Sequence, residues 1–183
     1  MMNEDELKCS EIERERQEKD NAFKHAHESP IPHEERNTFD GLKYYPVNAK
    51  YRFTVRLQKY SSPDAVVMAT STGTQQRYLR YGSFEFSLGG KEYRLQVFKP
   101  EHSHGTEESL FVPFRDKTSG SETYGAGRYL DIPENETGIY ELDFNKAYNP
   151  FCAYNPNYVC PMAPRENWLD VTIEAGERLY RQH

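Results

Sequence analysis

The chain has 183 residues, of which 36% are apolar and 28% charged, and its formal net charge is −6. The length suits one domain, and 14 Tyr with 10 Phe supply enough buriable area to exclude disorder along the whole chain. No basic stripe is present, which argues against a nucleic-acid surface. Residues 1–30 hold −4 of the −6, so the remainder is close to neutral.

Residues 3–28 read as a helix. Asn3 is its cap and Glu6 the capping-box partner. Glu4–Lys8, Glu15–Lys19 and Asp20–Lys24 have the favourable spacing of four. The apolar face is poor, with Leu7, Ile12 and Phe23 as its anchors. Ser29-Pro30-Ile31-Pro32 ends it. Residues 1–32 thus form a helical arm with a Pro-rich connector, and 33–183 a single β-rich domain.

From Tyr51 the period changes to two. Tyr51, Phe53, Val55 and Leu57 alternate with polar residues, as a half-buried strand requires. Further strands are expected at 65–70, 76–81, 84–88 and 93–97. Ser61–Asp64 and Thr72–Thr74 are read as turns, Gly82 as a break and Gly89-Gly90 as a hairpin turn. Later strands fall at 110–114, 128–132, 139–144 and 168–173, and residues 174–183 read as a ragged polar tail. The predicted fold is mainly β: an antiparallel β-barrel or sandwich of eight or nine short strands with an N-terminal helical arm.

No stretch approaches the ~18 apolar residues of a membrane-spanning helix, and the first 30 residues lack the apolar core of a secretory signal. A soluble cytoplasmic protein without a membrane partner is therefore expected. Three cysteines, Cys9, Cys152 and Cys160, do not make a disulfide scaffold.

Two stretches carry a family resemblance. One runs from Leu110-Phe111-Val112-Pro113-Phe114 through Asp116, Thr118, Ser119, Glu122, Thr123 and Tyr124 to Arg128 and Asp131. The other runs from Leu142-Asp143-Phe144-Asn145-Lys146-Ala147-Tyr148-Asn149-Pro150 through Cys152 and Cys160 to Glu166-Asn167. Together they resemble the uncharacterised bacterial and archaeal family catalogued as domain of unknown function 1684. The resemblance spans nearly the whole chain and implies no activity. It does imply signature residues: Asp116, Thr118, Ser119, Glu122, Thr123, Tyr124, Arg128, Asp143, Asn145, Tyr148 and Asn149.

The segment 116–128 gathers hydroxyls, carboxylates and an Arg between two strands, and loops on a rigid β scaffold are common places for function. Arg128 offers a bidentate clamp for a carboxylate or phosphate, or an internal salt bridge to Asp116, Glu122 or Asp143. Tyr124 and Tyr148 would stack on or cap a ligand, and Thr118, Ser119, Asn145 and Asn149 would bond its polar groups. Asp116, Glu122 and Asp143 are the candidate carboxylates for acid-base catalysis, which needs one of them in a drier setting. Ser119 lacks the elbow of a nucleophilic serine, and Gly125-Ala126-Gly127 is no dinucleotide fingerprint. No cofactor is expected. Zinc is the alternative, with His102, His104, Cys152 and Cys160 as its candidate ligands. The two cysteines otherwise read as buried thiols or a disulfide.

Two functions follow. The first is binding of, or action on, a small polar or anionic ligand at loops 115–128 and 145–167. The second is an interaction module, in which the acidic helix docks a partner or a second subunit in a homo-oligomer and the signature loops are structural.

Overall fold

A computed structural model describes residues 1–102 and 109–181. Helix α1 (Glu4–His25) opens with the expected capping box: Asn3 Oδ1 accepts from the Glu6 amide at 2.8 Å, and Glu6 accepts from the Asn3 amide at 2.9 Å. Ile12 and Phe23, roughly three turns apart on one face, are its buried residues. Leu7 points elsewhere and is 50% exposed, so it is not an anchor. Of the three expected pairs, Glu4–Lys8 forms at 3.1 Å. Lys19 goes to Glu177 instead, and Asp20 accepts from the Leu42 amide at 3.0 Å. Such half-buried tertiary partners outweigh an exposed helical pair of ~0.3–0.5 kcal/mol.

The β body contains β1 (Arg52–Arg56), β2 (Gln58–Ala69), β3 (Gln75–Leu88), β4 (Lys91–Pro100), β5 (Ser109–Phe114), β6 (Arg128–Pro133) and β7 (Ile139–Asp143). One sheet has the order β2-β3-β4-β5-β6 and the other pairs β1 with β7, all antiparallel. The sheets do not close on each other, so the fold is sandwich-like and not a barrel.

The described residues contain seven strands rather than eight or nine, and the strands differ from expectation at three places. Gly82 does not break the chain. It is the one residue that fits where β3 crosses the start of β2, since a Cβ there would lie 2.7 Å from the Gln58 carbonyl oxygen. The expected strands at 76–81 and 84–88 are therefore one, bent at a bulge between Arg80 and Gly82. Ser61–Asp64 is likewise an irregularity within β2, between Lys59 and Asp64, and not a turn. Residues 168–173 run beside 115–117 through single contacts, such as the Leu169 amide to the Arg115 carbonyl at 2.8 Å, without forming a ladder. Gly89-Gly90 does form the tight turn, with Leu88 paired to Lys91.

The main core lies between the sheets, where Phe84, Leu95, Val97, Leu110, Val112 and Phe114 are all 0% exposed. A smaller cluster of Phe23, Ile31, Phe39 and Tyr154 joins the arm to the body. The stretch after Ile173 is no free tail. Its backbone is stitched into the body: Glu177 N to Ala147 O at 2.9 Å, Arg178 N to Lys43 O at 2.8 Å, and Leu179 N to Glu122 O at 2.9 Å.

Candidate functional site

Arg128 opens β6 with its side chain 0% exposed. Nη1 donates to the carbonyls of Ala175 and Glu177, and Nη2 to that of Ile173 at 3.0 Å and to Asp116 Oδ1 at 3.4 Å. Only Nε lacks a partner. The guanidinium that the sequence offers as an anion clamp thus spends four contacts inside the chain. Asp116 Oδ2 accepts from the Ile173 amide at 2.7 Å. Thr118 Oγ1 donates to Asp116 at 2.8 Å and meets Thr123 Oγ1 at 2.9 Å, while Ser119 Oγ receives the Asp116 amide at 3.1 Å. The 116–128 loop is held by its own hydroxyls and carboxylate.

The three candidate carboxylates have separate partner sets. Asp116 is bound as above. Glu122, exposed, accepts from Tyr45 Oη at 3.2 Å, and burial with that charge beside it pushes the Tyr45 phenol up to about 12. Asp143 accepts from Arg52 Nε at 3.1 Å and from the Asn145 side-chain amide at 2.8 Å. That amide also donates to the Asn48 carbonyl at 2.9 Å. Asn149 donates from its backbone to Glu177 Oε2 at 2.8 Å and from its side chain to the Arg178 carbonyl at 2.9 Å.

A cleft lies where α1 crosses this region. It has a volume of about 90 Å³ and is lined by Arg16, Lys19, Tyr44, Asn145, Tyr148 and Glu177, with Ile12, Glu15, Lys146 and Ala147 at its margin. Two of its residues, Asn145 and Tyr148, are among those predicted from the sequence. Tyr148 Oη donates to Asp131, and its ring lies 5.0 Å from Lys19 Nζ. Arg16 stacks 4.3 Å over the Tyr44 ring and donates to the carbonyls of Tyr45 at 2.9 Å and Asn145 at 3.2 Å. Among the described residues no carboxylate lies within ion-pair distance of Arg16, and its Nε and the Tyr44 hydroxyl are buried without partners. Burial lowers the Arg16 pKa and raises that of Tyr44. Lys19 is matched by Glu177, a carboxylate 1% exposed that also accepts from Tyr154 Oη. Lys146 reaches Glu15 at 3.6 Å. The lining therefore carries three cations and two carboxylates, one positive charge in excess within an acidic protein.

Arg16, Lys19, Tyr44 and Glu177 were missed from sequence. The available signal was positional: Ile12, Arg16, Lys19 and Phe23 share one face of α1, so the two cations sit between the two anchors.

Tyr124, expected to cap a ligand, lies against Cys152, its hydroxyl 3.5 Å from Sγ. Cys152 and Cys160 are free and half-buried. The His102 imidazole is 79% exposed beside Glu101, and His104 lies outside the described residues. Among the described residues no three His, Cys, Asp or Glu side chains are placed to hold a metal, and no helix is long and apolar enough to cross a membrane.

The model of a protein family of unknown function, DUF1684, matches residues 37–178. The solution NMR structure of an uncharacterized protein of Haloarcula marismortui is similar, with 38% sequence identity, 95% of each chain covered and a TM-score of 0.72. No curated protein matches the chain.

Proposed function

We propose, on the premise that the chain belongs to the DUF1684 family of proteins of unknown function and so inherits no assigned activity, that it binds a small polar or anionic molecule in the cleft between α1 and the β body. The observation that carries this reading is Arg16. It is a half-buried guanidinium with no carboxylate partner among the described residues and an unspent Nε, beside an unspent Tyr44 hydroxyl. A half-buried cation without a countercharge and a buried hydroxyl without a hydrogen-bond partner each cost free energy, and one anion carrying acceptor oxygens would satisfy both.

The cleft's dimensions limit the ligand. About 90 Å³ is well below the ~300–1,000 Å³ of sites for drug-sized molecules, so the ligand has few heavy atoms, as inorganic phosphate, sulfate or a short carboxylate does. The Lys146 ammonium at the margin adds attraction, although its exposure makes it weak. Arg128 supports the site from behind: it fixes the 173–177 segment that delivers Glu177.

Isothermal titration of the full chain with phosphate, sulfate and acetate tests this. Saturable binding of at least one anion is expected, weakened about tenfold or more in Arg16→Gln, as loss of a charge-assisted bond implies. Thermal unfolding without ligand checks that the variant is folded. Millimolar anion without a heat of binding, or equal affinity in a folded Arg16→Gln, overturns the proposal.

A further inference from the structure

A groove of about 450 Å³ lies between the loop at 121–122 and the C-terminal segment, lined by Lys43, Ser121, Glu122, Arg178, Leu179 and Tyr180. None of these residues belongs to the α1 cleft. Its charged residues are set in place by the backbone. The Arg178 amide donates to the Lys43 carbonyl at 2.8 Å, and the next amide, of Leu179, donates to the Glu122 carbonyl at 2.9 Å. Tyr45, 7% exposed, braces two of the three from below. Its hydroxyl donates to Glu122 Oε2 at 3.2 Å, and its ring centroid lies 5.1 Å from the Arg178 guanidinium carbon. Leu179 and Tyr180 supply the apolar wall, and the Tyr180 ring is itself packed against Phe39 and Tyr154.

The three charges are close without being spent on one another. Arg178 Nη2 and Glu122 Oε1 stand 3.9 Å apart, within ion-pair range but beyond a hydrogen bond. Among the described residues no carboxylate lies within ion-pair distance of Lys43. Ser121 Oγ donates to the Thr118 carbonyl at 3.0 Å and keeps its lone pairs for a further donor.

We propose that this groove binds a free acidic α-amino acid, with the α-carboxylate on Arg178, the α-ammonium on Glu122 and Ser121, and the side-chain carboxylate on Lys43.

The ligand matches the groove in shape and in charge count. In an α-amino acid a single Cα separates the two head-group charges, by about 2.5 Å from nitrogen to carboxyl carbon on standard bond lengths. Arg178 and Glu122 form a couple of similar span, so the head group lies across it with each charge on its opposite. A peptide carries its free ammonium and carboxylate on different residues and has no such head. Two cations and one carboxylate in the lining are answered one for one by two carboxylates and one ammonium. A simple anion would leave Glu122 facing like charge, and a neutral amino acid would leave Lys43 unanswered. The Arg178 guanidinium can take the α-carboxylate through two parallel bonds. The volume falls near the lower end of the ~300–1,000 Å³ of small-molecule sites and leaves room for bridging water. No side chain is shared with the α1 cleft, so either proposal stands without the other.

The test is isothermal titration of the full chain at low ionic strength with L-glutamate and L-aspartate, each beside its side-chain amide and its N-acetyl derivative. At least one of the two acids is expected to bind saturably with a Kd of about 1 mM or below. Its amide should bind about three- to fivefold more weakly, as loss of one exposed charge pair implies. The N-acetyl derivative should bind at least about tenfold more weakly, since it has no ammonium and sets an anion against Glu122. Lys43→Met should bind acid and amide equally. That residue is exposed and bonds Arg178 through its backbone, so the variant keeps the fold, which an unchanged urea midpoint checks. Absence of saturable binding of either acid at about 10 mM overturns the proposal. So does an N-acetyl derivative that binds as tightly as its parent. Both results come from the wild-type chain. Undiminished preference for the acid over its amide in Lys43→Met overturns it as well.

Discussion

Arg128 brings a charge and five N–H donors into the interior and finds acceptors for all but one of them. Three acceptors are backbone carbonyls from 173–177, so the side chain works as a post around which that segment bends. Replacing it removes those bonds and leaves the buried Asp116 carboxylate without its cation. Arg128→Met should therefore destabilise the fold by about 3–5 kcal/mol, read as a lower urea midpoint with an unchanged slope. Sequence pattern alone leaves an Arg between two strands equally suited to an external anion and to an internal one. What decides is the position of residues 173–177, more than forty residues further along, and no local pattern reports that.

At the scale of elements, most of the β body was legible. Alternation over 51–57 and the Gly89-Gly90 turn report local geometry that each stretch dictates for itself. The failures share a physical cause. Gly82 looks like a break because glycine is usually one, yet here it serves the close approach of another strand. Residues 174–181 look like a tail because they are polar, yet their backbone bonds are made to Lys43, Glu122 and Ala147. Gly176 shows how tightly that stretch is seated. Its φ is +77°, and a Cβ would lie 2.6 Å from the Ala147 carbonyl oxygen and 2.8 Å from that of Phe144. Gly176→Ala should thus lower stability by about 1–3 kcal/mol for the backbone alone and by more where the contact cannot relax. Differential scanning calorimetry would show it as a lower Tm.

Over the whole molecule, the arm changes the meaning of the net charge. All of its acidic side chains except Asp20 are exposed, whereas Arg16 and Lys19 line the cleft against the body, so the helix is mainly acidic outside and mainly basic inside. A pattern read for apolar residues finds little amphipathicity in it, because the inward face is half cationic. The candidate cleft was correspondingly only half legible: Asn145 and Tyr148 lie in recognisable signature residues, but the cations opposite them come from a helix that looked solvated. If the arm is integral to the fold, Ile12→Ala should lower global stability by about 2–4 kcal/mol and leave a single unfolding transition by circular dichroism. Loss of helix in a separate early step, with the body's midpoint unchanged, would show that the arm folds as its own unit.

The stitching of residues 173–179 also bears on how the chain is made. Ile173 and Ala175 are 0% exposed in the main core, and their neighbours complete the shells of Arg128 and Glu177. Synthesis runs from the N-terminus, so every strand is translated before the carbonyls of residues 173–177 that enclose Arg128. A nascent chain halted before residue 173 holds all seven strands but leaves Arg128 and Asp116 short of their carbonyl and amide partners. The native state is therefore reached only after these late residues have emerged from the ribosome.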